Sequence, residues 1–167
     1  MNASYTTSHP LLAIAWAAGF IDGEGCIQIS KTQARDREHP TYRPRLDVSQ
    51  NDREVLVRLR EILNENSGIY MHKWQPGQTR QPYVLVFDGW HALRAVSKIR
   101  PFLIRKDEEA DLLLSYPQVA RMGAPRGPKK GYSAEVWEAR ESIYRTLQEL
   151  KLGRTDNGAM AERPGEE

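Results

Sequence analysis

The chain has one cysteine, Cys26, in 167 residues. That excludes an intrachain disulfide framework and a cysteine-rich zinc site, so stability must come from packing, as suits a reducing compartment. No apolar run approaches the ~18 residues of a membrane span. The opening residues, MNASYTTSHP, lack the basic and long apolar regions of a signal peptide. A soluble, cytosolic or nuclear protein with no membrane partner is the expectation. Neither sign of charge dominates: 24 lysines and arginines face 22 acids, for a net +2. Four acids and two bases fall within 153–167, which leaves a modestly basic body at +4. This balance permits a nucleic-acid partner held by a local patch without demanding one. The four histidines, His9, His39, His72 and His91, show no metal-ligand spacing.

What is present reads as one α+β domain. Leu11 to Ile21 is apolar and alanine-rich, with Pro10 ahead of it and glycines after it, and predicts a first helix that buries several sides. From Cys26 to Thr32 the apolar period becomes two. Ile27 and Ile29 fall on one face and Cys26, Gln28, Ser30 and Thr32 on the other, which predicts a strand with one wet face. Tyr42 to Gln50 alternates again, with Leu46 and Val48 inward and Arg43, Arg45 and Asp47 outward, completing a long hairpin. Asp52 is placed as a helix cap ahead of Val55, Leu56, Leu59, Ile62 and Leu63, an amphipathic stripe. Ile69 to Gln75 and Tyr83 to Phe87 predict a second hairpin. Trp90 to Ile99, Arg105 to Ser115 and Ser133 to Leu152 predict three further helices. Residues 1–10 and 153–167 are expected to be tails, the latter disordered, leaving 11–152 as the domain. The loop before the last helix holds a basic knot with Arg126, Lys129 and Lys130.

The densest chemical constellation is Ala17-Ala18-Gly19-Phe20-Ile21-Asp22-Gly23-Glu24-Gly25, a helix end with two acids between glycines that runs straight into a strand. A backbone carbonyl at Gly23 and the Glu24 carboxylate brought together would form the hard-oxygen environment that Mg²⁺ prefers. A carboxylate at a helix C-terminus is otherwise disfavoured by the helix dipole, a cost that a bound cation offsets. The bland reading makes Asp22 and Glu24 solvated turn residues. An EF-hand does not explain them, because Cys26 and Gln33 would stand at two positions that need other oxygen ligands.

These nine residues resemble the signature of the LAGLIDADG homing endonucleases, and the element order after them resembles that family's as well. Val48-Ser49-Gln50 and Pro101-Phe102-Leu103, followed by Lys106, add to the likeness. The resemblance implies an αββαββα domain with a saddle-shaped antiparallel sheet and additional C-terminal helices. It implies a site-specific endonuclease that hydrolyses both strands of a long, palindromic or near-palindromic DNA with Mg²⁺, Mn²⁺ being able to substitute, and leaves short 3′ overhangs. The motif occurs once, so the likeness implies a homodimer rather than a pseudosymmetric monomer, with Ala17, Ala18 and Gly19 at the interface. By the same likeness Glu24 is the catalytic metal-binding carboxylate, with Gly23 beside it. Gln50, Lys106 and the less well-registered Arg53 are then the polar residues around the scissile phosphate. Compared with the commonest motif, Glu24 replaces Asp, Gly23 replaces alanine and Phe20 replaces leucine. If the host gene is organellar, the compartment becomes an organelle matrix.

A two-stranded ribbon fits the major groove, so the first hairpin offers Gln28, Ser30, Thr32, Arg43, Arg45 and Asp47 as base readers. The competing reading is the solvated face of an ordinary antiparallel sheet. On the second hairpin Met71, Lys73 and Gln75 compete with Tyr70, His72 and Trp74, and Lys73 and Gln75 have the better reading chemistry. Arg80, Lys129 and Lys130 suit backbone phosphates. A second functional class remains open: an intron maturase or regulator on the same scaffold, binding DNA or RNA with cleavage weak or lost.

Overall fold

The structure, a computed structural model, describes residues 9–33, 35, 39–73, 80–117 and 133–160, with side chains as far as 153. The elements follow the order α1 (Pro10–Glu24), β1 (Gly25–Thr32), β2 (Thr41–Gln50), α2 (Arg53–Leu63), β3 (Gly68–Met71), β4 (Tyr83–Asp88), α3 (Trp90–Ile99), a short 3₁₀ turn (Arg100–Phe102), α4 (Asp107–Leu114) and α5 (Ala134–Met160). The four strands form one antiparallel sheet in the order β1-β2-β4-β3. It is the mixed architecture that the pattern of the sequence predicts.

Alternation along the strands determines which face is dry. Ile27, Ile29, Tyr42, Leu46, Val48, Leu85 and Phe87 turn inward and are buried. Against them pack Leu56, Leu59 and Leu63 of α2, Ala95, Val96 and Ile99 of α3, Leu113 of α4 and Leu147 of α5. Asp52 caps α2 as expected, its Oδ1 accepting from the Glu54 N–H at 2.9 Å. Pro44 lies inside β2 without breaking the ladder. Its carbonyl accepts from the Gly89 N–H, so the edge that lacks an N–H faces the point where β4 has just ended.

Several boundaries differ from those expected. α1 continues past Ile21 to Glu24, so both motif acids are helical rather than in a turn. Gly25 makes the abrupt change to strand. A Cβ there would lie 2.7 Å from the Ile21 carbonyl oxygen, and only glycine fits without moving backbone. α5 continues through Gly153 to Met160, where the sequence had suggested a disordered tail, because one glycine costs a helix only about 1 kcal/mol and no proline follows until Pro164. β3 ends at Met71; residues 74–79, which include Gln75, lie outside the described residues, as do Arg126, Lys129 and Lys130. No helix among the described residues is long and apolar enough to cross a membrane.

Candidate nucleic-acid interface and metal site

The C-terminal end of α1 meets the start of β1 and the segment before α4. Asp22 does the joining. Its carboxylate accepts from the N–H groups of Ile104 (2.8 Å), Arg105 (2.9 Å) and Lys106 (2.9 Å), a cap on the approach to α4. Burial raises the Asp22 pKa, but these three donors outweigh it and hold the carboxyl below its ordinary value. Lys106 answers in the other direction, its ammonium donating to the Asp22 carbonyl at the end of α1, where the helix dipole favours a cation. Burial lowers the pKa of Lys106, partly offset by the nearby Glu109 and Asp22. The acid that the bland reading left solvated is therefore the fastening of the site, and it acts across 82 residues of sequence.

Glu24, two residues on, is exposed, and among the described residues its side chain makes no hydrogen bond or ion pair. The Gly23 carbonyl belongs to the last turn of the same helix, whose final carbonyls point beyond its end. Both are hard oxygen donors, the chemistry that suits Mg²⁺. Among the described residues no three His, Cys, Asp or Glu side chains gather to hold a metal. One protomer thus supplies a carboxylate and main-chain oxygens, a donor set that fits such an ion but would need further ligands from a second copy, water or phosphate. Lys151 of α5 adds a cation that the sequence did not reveal, its ammonium donating to Cys26 Sγ at 3.2 Å, next to the start of β1.

The remaining expected residues are spread over the sheet. Gln50 ends β2 opposite Tyr83, its Oε1 accepting from the Asn51 N–H at 3.0 Å. Arg53 is exposed at the first position of α2, and Arg80 is exposed ahead of β4. On the outward face Gln28 stands opposite Arg45, Ser30 opposite Arg43 and Thr32 opposite Thr41. Asp47 is held there by Gln28 and Arg45, and Arg43 pairs with Asp88 at 2.8 Å. A depression of about 580 Å³ opens beside Arg45, Gly68, Tyr70 and His91.

Register decides the second hairpin, which sequence alone left open. Tyr70 pairs with Val84, and Gly68 with Val86, the partner of Asp47, so Tyr70 shares the face of Arg45 and Asp47. Its ring lies over Gly68, where a Cβ would come within 2.4 Å of the phenol. Met71 faces the other way, and β3 ends there, so its register does not reach Lys73, which is exposed. The α1 interface also needs correcting. Ala17 and Ala18 are fully buried in the protomer's own core and cannot face a second copy. Gly19 and Gly23 are exposed with nothing near them, in line with Leu12 (63% exposed) and Trp16 (37%). Trp16 stacks on Phe20 at 5.6 Å and carries the Arg58 guanidinium over its ring.

Residues 17–81, from the motif through the second hairpin, match the LAGLIDADG endonuclease family. The fold matches the homing endonuclease I-CvuI, solved with an I-CreI target in 2 mM Mg with the DNA not cleaved. The TM-score is 0.55 at 22% identity, over 84% of this chain and 97% of that one. It also matches the archaeal intron-encoded homing endonuclease I-Vdi141I, complexed with DNA, at a TM-score of 0.55 and 20% identity, over 79% and 96%. I-SmaMI bound to cleaved DNA matches at 0.60 and 12% identity, over 86% of this chain and 45% of that one. No curated protein matches by sequence. Residues 17–81 are thus similar to the LAGLIDADG endonuclease family, the chain shares the fold of these structures, and its sequence carries one copy of the motif.

Proposed function

We propose that two copies of this chain form a Mg²⁺-dependent homing endonuclease that hydrolyses both strands of a long, near-palindromic duplex and leaves short 3′ overhangs. The observation that carries this reading is the unpaired, exposed Glu24 at the end of α1, with Lys106 bonded two residues away and a bare helix face alongside. Glycines at 19 and 23 let two α1 helices approach closely, which would bring two Glu24 carboxylates to one axis. Glu24 and the Gly23 carbonyl of each copy would hold the ion. When bound, Mg²⁺ supplies an acidified water and positive charge against the phosphate oxygens. Lys106 adds a fixed cation beside the phosphate, and Gln50 orients water at the end of β2. The outward faces of both hairpins, with Gln28, Ser30, Arg43, Arg45 and Tyr70, lie in the major groove.

The test selects binders from a randomised duplex library in Ca²⁺, adds Mg²⁺ and maps the cuts, with Glu24→Gln alongside. Double-strand cuts at a selected site, reduced at least ~100-fold in Glu24→Gln while binding persists, are the expected result. Normal turnover by that variant would remove Glu24 from the chemistry. Specific binding without cuts would instead favour the maturase or regulator reading.

A further inference from the structure

The outward row of the first hairpin carries an arrangement that a merely solvated sheet face does not need. Asp47 Oδ1 accepts from Arg45 Nε at 2.7 Å, and Asp47 Oδ2 accepts from Gln28 Nε2 at 2.7 Å. Arg45 and Gln28 are direct partners in the β1/β2 register, so the carboxylate ties together two side chains from adjacent strands. Although it stands on the open face, the Asp47 side chain is only 16% exposed, against 36% for Arg45. Each oxygen already holds a short bond. Such a carboxylate is badly placed to accept from a cytosine amine, and an unpaired one would repel phosphates.

What remains open is the far end of Arg45. With Nε spent on Asp47, the two Nη groups are left, and their spacing matches guanine O6 and N7. Arg45 also borders the depression of about 580 Å³ on this face, which leaves room for a base edge. Arg43 differs, because its Nη1 already donates to Asp88 and both side chains are well exposed.

We propose that Asp47 is a positioning residue that pre-orients Arg45 to read a guanine in the major groove, with Gln28 held beside it by the same carboxylate. This rests on the DNA-binding reading above and commits it to one base. An arginine fixed before the encounter loses less rotamer freedom on binding, so its contact counts more fully towards discrimination.

Position-by-position base preferences, measured by competition of duplex variants against the parent and its mutants, test this. Asp47→Ala should lower a guanine preference at one position of each half-site by about five- to tenfold, with affinity for unrelated duplex unchanged or slightly raised. Asp47→Asn, which keeps the size and one acceptor, should fall between. Arg45→Gln should convert that preference towards adenine. In an Arg45→Ala background, Asp47→Ala should cost nothing further at that position. Circular dichroism and a thermal melt on each variant separate a reading defect from a folding one. A guanine preference left intact by both Asp47 variants overturns the proposal. So does a base preference that survives Arg45→Ala and then falls with Asp47→Ala, which would make Asp47 the reader. A parent chain without position preferences would overturn the DNA reading itself, an outcome distinct from either.

Discussion

Asp22 and Glu24 sit two positions apart on the same helix end and do opposite work. Asp22 spends its carboxylate on three N–H groups ahead of α4, and the Glu24 carboxylate stands exposed with no bond among the described residues. Removing the first should therefore loosen the second's surroundings. Asp22→Ala keeps the main-chain carbonyl that the Lys106 ammonium bonds but leaves the three N–H groups that anchor the Lys106 segment without their acceptor, and should cost about 1–2 kcal/mol of stability in urea unfolding, the range of a lost helix cap. It should also slow cleavage while leaving binding in Ca²⁺ largely intact, and cleavage at the parent's rate would show that Lys106 needs no such anchor. The motif alone pointed to Glu24. Asp22's role was invisible there, because its partners at 104–106 are joined to it only by the fold.

Among the elements, α5 is the one whose attachment the sequence left unexplained. Its Glu141 is buried against the first hairpin, where Tyr42 donates to it and Lys31 and Arg145 pair with it at 2.9 and 2.8 Å. Burial alone would raise its pKa, but these donors together pull it from 4.5 down to about 2. A carboxyl whose folded pKa is depressed stabilises fully above its unfolded value and loses that contribution as pH falls through the folded one. Thermal melts should thus show the α5 contribution fading between pH 4.5 and about 2. Glu141→Gln should flatten that part of the profile and cost about 2 kcal/mol at neutral pH, from the loss of the charge and of one of the two acceptor oxygens that Tyr42, Lys31 and Arg145 share. An unchanged acid profile would mean that other carboxylates set it. Periodicity located α5 and the hairpin separately; their clamp, with Tyr116 donating to the Tyr42 carbonyl at 2.7 Å, joins segments far apart in the chain.

For the whole molecule the question is what covers the bare face of α1. A side chain at Gly19 meets open space in the protomer, whereas Ala18 is sealed in the core. Gly19→Leu should keep the protomer at least as stable, by up to about 1 kcal/mol from helix propensity. On the dimer proposed above, it should nonetheless shift sedimentation towards monomer and lower the proposed double-strand cleavage. Enlarging Ala18 should instead destabilise the protomer itself. A Gly19→Leu variant that still sediments as the parent dimer would place the interface elsewhere. Duplex affinity should also fall steeply as salt rises, with a log–log slope of several units, and a flat dependence would argue against phosphate contacts.

Composition, alternation and one nine-residue motif were enough for the α+β class, the wet face of the first hairpin and the cap at Asp52. Each of these is local, carried by a period of two or 3.6 or by neighbours in the chain. Folding decided the rest. Tyr70 rather than Met71 shares the Arg45 face because strand register is a property of paired strands. Ala17 and Ala18 point into the core and Gly19 out of it because a helix apolar nearly all round has no preferred face until its neighbours pack. Asp22 fastens Lys106, and Asp47 holds Arg45 against Gln28, because hydrogen bonds form between groups that the chain must first bring within 3 Å.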